Sequence, residues 1–345
     1  MYPISAADSV SLAVQRTKEF LFQPFRWGTY LKLGLVAIIT EGIGSNLHSS
    51  KRATPSVGHG PMTYPQFNIP PVWIAAAVAA VLVVIVLSIV VFYLVTRLRF
   101  AFFHCLIHNT SEIGPGWRLY RTQAARFFGL NLVVAFSYVL LFGLAMFPFM
   151  TGFIRVVRET PPGSQPDLWK FLPLILPLIP IILLIALIAF VLEVILRDFI
   201  LPHYALEDAT VSEAWQEVWE QIKAEKKQFA VYALLRLILP ISATIGLFIV
   251  FLLPGLMLAG SLAAVEYAIH SAFANLTGVA ALPGILLEAF FGVLAFAFAL
   301  FVGVCLGGPL STGLREYALI FYGGRDQALG NILYPPPAAI APEVP

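Results

Sequence analysis

The sequence predicts an all-α fold, a polytopic membrane bundle with cytoplasmic interfacial helices. Two observations predict it. The chain is 59% hydrophobic and 12% charged, where soluble domains are about half apolar and a quarter charged, and its mean hydropathy is +0.85. Apolar runs also recur at spanning length, about 20 residues being enough to cross the hydrocarbon core.

Residues 5–23 read as a helix. Ser5 and Asp8 give a cap signal, and Val10, Ala13, Val14, Thr17, Phe20 and Leu21 form a stripe. Ser9, Gln15, Arg16, Lys18 and Glu19 occupy the other faces, so this helix lies in the interface. Pro24 ends it. The first span is expected over residues 28–47, with Lys32 snorkelling and Glu41 near the outer end. Residues 48–71 form a polar loop whose His48, His59 and Met62 have no fixed geometry for a metal.

The second span, 72–95, carries no charge. Residues 97–126 form a basic connector with a helix starting near Pro115. There Trp117, Tyr120, Ala124 and Phe128 make an apolar face beside Arg118, Arg121 and Arg126. The third span covers 127–150. The fourth covers 171–196, with Pro173, Pro177 and Pro180 crowding its start, where neighbouring helices satisfy the freed carbonyls.

Residues 196–229 organise the chain. Thr210 to Glu213 is a capping box. Val211, Trp215, Val218, Trp219, Ile222 and Phe229 share one stripe, and Glu217, Glu220, Lys223 and Lys227 fall away from it. Residues 229–259 would reach about 46 Å as one helix. Pro240 and Pro254 are expected to break that run, placing the fifth span over 236–258. Residues 255–283 read as a helix and loop on the outer surface, with a re-entrant segment as the alternative. The sixth span covers 284–309, with Glu288 in its first turn, where a carboxylate is favoured. Residues 1–322 form one membrane domain, and 323–345 a disordered Pro/Ala-rich tail.

Leu98-Arg99 precedes Trp117 at the distance by which Leu196-Arg197 precedes Trp215, and Leu314-Arg315 follows the last span. This suggests three units, each an interfacial helix and a membrane hairpin, against chance recurrence of a common pair. Fifteen Lys and Arg residues fall on one side of this topology and five on the other. The positive-inside rule then puts both termini in the cytoplasm.

The net charge of +2 is too near neutral to suggest nucleic acid. Cys105 and Cys305 lie in different kinds of segment, which argues against a disulfide or metal framework. G-x-S-x-G, H-E-x-x-H and P-loop patterns are absent, so no catalytic residue, metal ligand or cofactor is assigned. His104 and His108 read as interfacial.

The polar candidates within spans are Glu193 and Arg236, expected to pair across the fourth and fifth spans, with Glu41 and Glu288 near outer ends. The bland alternative is a pair that only fixes helix register. The interfacial candidates are Arg99, Trp117, Arg118, Arg121, Arg126, Asp198, His203, Trp215 and Trp219. Arg118, Arg121 and Arg126 suit anionic lipid headgroups, although topology alone places basic residues there. Gly303 and Gly307 form a GxxxG pair that permits close helix contact.

RDFILPHYALEDATVSEAW (197–215) and FRWGTYLKLG (25–34) resemble uncharacterised prokaryotic multi-pass proteins related to the membrane domain found beside some glycerophosphodiester phosphodiesterases. The resemblance implies an all-helical domain of unknown role in a bacterial or archaeal cytoplasmic membrane. This chain carries no phosphodiesterase domain, so that activity does not transfer. The leading expectation is a non-enzymatic protein that binds membrane lipids or organises a protein partner at its cytoplasmic helices. The rival is a transporter or lipid-translocating protein using broken spans four and five. A third reading is a lipid-processing enzyme near His104, Asp198 and His203.

Overall fold

The computed structural model describes residues 4–42, 71–159, 169, 171–273 and 282–334. The helices are α1 (Asp8–Phe22), α2 (Trp27–Gly42), α3 (Pro71–Ile107), α4 (Ile113–Leu119), α5 (Arg121–Glu159) and α6 (Leu172–Val194). A π-helical segment (Ile195–Ile200) leads into α7 (Leu201–Leu206), followed by α8 (Val211–Ala224), α9 (Lys226–Phe273), α10 (Leu282–Gly323) and α11 (Gln327–Leu333). The fold is all-helical among the described residues. Five helices are long and apolar enough to cross a membrane: α3, α5, α6 with its extension, α9 and α10. The chain is therefore of the integral membrane type.

The long helices change character along their length. In α3 Val72, the large apolar residues from Ile74 to Val91, and Leu94 are exposed, whereas Phe100 to Leu106 are buried except for His104. In α10 the exposed apolar run from Leu282 to Phe301 gives way to a buried end, Arg315 to Gly323. The exposed stretches are Val, Leu, Ile, Ala and Phe on all faces, the pattern of a helix surrounded by lipid. At 1.5 Å per residue they measure roughly 30–35 Å, close to the hydrocarbon thickness. The buried ends carry aromatic and polar residues that pack and pair with protein.

Several expectations change here. The helix α9 runs 48 residues without a break, through both Pro240 and Pro254. An interruption would leave further backbone groups without partners in lipid, so the helix continues past each proline. Residues 255–273, expected on the outer surface, belong to this helix. Likewise α6 continues through Pro177 and Pro180 into the π-helical segment. Spans four and five are therefore unbroken. Residues 327–333, assigned by composition to a disordered tail, form α11, where the Leu329 amide donates to the Asp326 carboxylate at 2.7 Å. His48, His59 and Met62 lie outside the described residues.

Two compact units are present. The first combines Met1–Ser45, Cys105–Ser111 and Gln221–Pro345. Within it α1 runs antiparallel to α10. The Arg325 guanidinium donates to the Ile4 carbonyl, and Arg16 meets Glu316. A Cβ on Gly313 would touch the Thr17 hydroxyl. After the turn at Pro24, α2 runs parallel to α10. Trp27 stacks on Phe301, the Tyr30 hydroxyl donates to the Cys305 carbonyl at 2.6 Å, and Gly34 meets Gly308. That carbonyl is the one left without its helical N–H by Pro309, four residues on.

The second unit combines Asn46–His104 and Glu112–Glu220. A Cβ on Gly116 of α4 would lie 2.7 Å from His104 Cβ, so glycine is what lets α4 pack on α3. Phe127 meets Phe100 and Tyr204 edge to face, fixing the start of α5 against α3 and α7.

Candidate functional site

The first unit holds a layer of buried charge where α1, α2, α9 and α10 meet. Arg236 of α9 donates to Glu41 at the end of α2, at 2.8 Å, with both side chains 7% exposed. One turn from Arg236, Tyr232 stacks between Tyr317 and Phe321 of α10. Arg16 Nε lies 3.1 Å from Glu316, whose side chain is wholly buried, and its Nη2 donates to the Leu106 carbonyl. Arg315 and Thr312 are buried in the same part of α10.

This arrangement corrects the expected Glu193–Arg236 pair. Glu193 instead meets Arg197, one turn along its own helix, at 3.4 Å. Glu41 was expected near an outer helix end. It reaches Arg236 because α2 folds back along α10. The Arg16–Glu316 pair was not foreseen, since 300 residues separate its members and each sits in an ordinary amphipathic pattern. Glu288 pairs with His270 at 3.1 Å where α9 and α10 meet at their far ends.

Beside the charged layer lies an apolar groove of about 380 Å³ between α1, α9 and α10. Val14, Phe22, Leu239, Leu310 and Tyr317 line it, and Lys18 is its charged residue. Ligand sites typically enclose about 300–1,000 Å³.

The second unit holds most of the other candidates. Arg97 donates to the Trp117 carbonyl through Nε and Nη2 and stacks 4.4 Å over its ring. The sequence pointed to Arg99, two residues along, which is half-buried. Arg126 pairs with Asp208, joining the segments that follow α3 and α6. Arg118 and Arg121 stand exposed. Arg197 and Asp198 are buried in the π-helical segment, a local geometry common at functional sites.

His203 is almost wholly buried. Its Nδ1 lies 2.8 Å from Glu207 and 3.7 Å from Glu217. The clue was His203 and Glu207 at i, i+4, which share a helix face. One imidazole and two carboxylates can share a proton or hold a divalent cation. His104 packs against Tyr120 instead. Of the stripe read on α8, Val218 is buried and Ile222 half-buried, while Val211, Trp215 and Trp219 stand exposed; Ala214, outside that stripe, is the other buried residue of the helix. The Thr210–Glu213 box forms as read. The Thr210 amide donates to Glu213 Oε2 at 2.9 Å and the Glu213 amide to Thr210 Oγ1 at 3.4 Å. These backbone and hydroxyl donors lower the Glu213 pKa, while burial raises that of Tyr120.

In comparisons with known proteins, no curated protein and no solved structure matches the chain. A family model does match, over residues 4–332. With most of its length covered, the chain belongs to the family described as "Family of unknown function (DUF7544)".

Proposed function

We propose that this chain is a non-enzymatic integral membrane protein that binds lipid, with its buried helix ends in the cytoplasm. The groove between α1, α9 and α10 carries the reading. Its lining is mostly apolar, with Lys18 as the charged residue, and it lies just beyond the lipid-exposed run of α10, where an acyl chain meets its headgroup. Lysine there suits an anionic headgroup. The excess of Lys and Arg on the same side supports the orientation. The transporter rival loses the two features it used, the Glu193–Arg236 pair and the broken spans. Kinship with the phosphodiesterase-associated membrane domain is part of the proposal, resting on residues 25–34 and 197–215, and brings no activity with it.

The test is the lipid retained after purification in mild detergent, quantified by mass spectrometry. Ala243→Trp should fill the groove and lower the bound lipid. Lys18→Gln should keep lipid and lose preference for anionic headgroups. If both folded variants retain the parent's lipids in amount and class, the reading fails.

A further inference from the structure

We infer that α1 and α2 form a re-entrant hairpin whose aromatic tip dips into one leaflet and returns, so that α2 does not cross the bilayer.

Helix direction carries the inference. Along α1, contacts with α10 run from Gly324 toward Gly313. Along α2 they run back, from Phe301 at Trp27 through Cys305 at Tyr30 to Gly308 at Gly34. A crossing helix that entered from the buried end of α10 would have to continue in the direction of α1. Instead α2 retreats toward the buried end, and its last turn places Glu41 on Arg236. That salt bridge stands one turn from Tyr232, which is stacked on Tyr317 and Phe321 in the buried end of α10.

The tip has the chemistry of a membrane interface. Phe22, Phe25 and Trp27 are all exposed, and their rings pack on one another and on Tyr30. Arg26 stands exposed among them. Aromatic rings favour the headgroup level, and an arginine beside them can snorkel to water. What covers the tip follows from continuity. Trp27 stacks on Phe301, the last residue of the lipid-exposed apolar run of α10, so the two surfaces are one. The occupant is lipid, at the acyl–headgroup boundary of the leaflet next to the buried end of α10.

The rise of a helix makes the idea testable. Leu35 lies eight residues beyond Trp27, roughly 12 Å along α2. In a re-entrant hairpin Leu35 is shallower than the tip by about that much. In a crossing helix it is deeper by the same amount. Phe25→Cys and Leu35→Cys would be spin-labelled in the full-length protein in nanodiscs, with labelling of Cys105 and Cys305 subtracted using the parent. Collision with oxygen and with a water-soluble nickel chelate then reads depth. The expected order is Phe25 deep and Leu35 shallow. Leu35 deeper than Phe25, or equal depths, overturns the inference. Phe22→Cys and Ile39→Cys give a second pair if either first variant fails to fold. The outcome is independent of whether the groove binds lipid.

Discussion

At the scale of single residues, Glu41 and Arg236 are the most consequential pair. Both are buried, and a charge left alone there keeps its desolvation cost without its partner. Breaking such a pair typically costs about 3–5 kcal/mol. Glu41→Gln and Arg236→Gln should each destabilise the detergent-solubilised protein on that scale, measured by thermal or chemical unfolding. The double variant should lose clearly less than the sum, because the residues are in contact. Glu193→Gln combined with Arg236→Gln should be additive, since Glu193 sits with Arg197. Additivity for Glu41 and Arg236 would contradict the contact. Arg236 was legible as a special residue because an arginine inside an apolar run is costly. Its partner was not legible. Equating sequence position with depth assumes that each apolar run crosses in one direction, and α2 breaks that assumption.

Among elements, the boundaries set by local chemistry were legible and those set by packing were not. The Thr210–Glu213 box starts α8 as its pattern requires, because both partners lie within one turn. The proline signals misled, because a proline that ends a helix in water need not do so in lipid. Of the Gly303–Gly307 pair, Gly307 does face α2, where an added Cβ would lie 3.0 Å from Ile38 Cδ1. Gly303 has open space around its Cα, whereas Gly308 lies against the backbone of Gly34, where an added Cβ would sit 2.7 Å from its Cα. Backbone cannot yield as a flexible side chain does. Gly308→Ala should therefore separate α2 from α10 and cost roughly 1–3 kcal/mol, as overpacking does. Gly303→Ala should be neutral or slightly stabilising through helix propensity. Comparing the two melting temperatures checks this, and equal losses would mean that the contact is loose.

For the whole molecule, the long helices and the apolar surface were legible from composition, since a chain with this little charge has few alternatives to lipid. The division into two units was not. The first is assembled from three separate stretches of chain, which a linear reading cannot foresee. One residue does much to join those stretches. The Arg325 guanidinium is almost wholly buried. It donates twice to Glu225 at 2.8–3.0 Å, and also to the carbonyls of Ile4 and Phe321. It also stacks 4.0 Å from the Phe321 ring centre. It thus ties the beginning of the described chain to the α8–α9 junction and to the end of α10. Glu225 remains a third exposed, so water recovers part of what its loss would cost. Arg325→Gln should cost about 3 kcal/mol, the low end for a broken buried pair. Arg325→Lys should rescue little, because an ammonium lacks the planar fork that reaches these acceptors together. The distinguishing readout is limited proteolysis. Arg325→Gln should release residues 4–8 to cleavage while the exposed apolar parts of α9 and α10 stay protected by detergent. If the beginning of the chain stays as resistant as in the parent, Arg325 is not the tie, and the packing of α1 on α10 holds it alone.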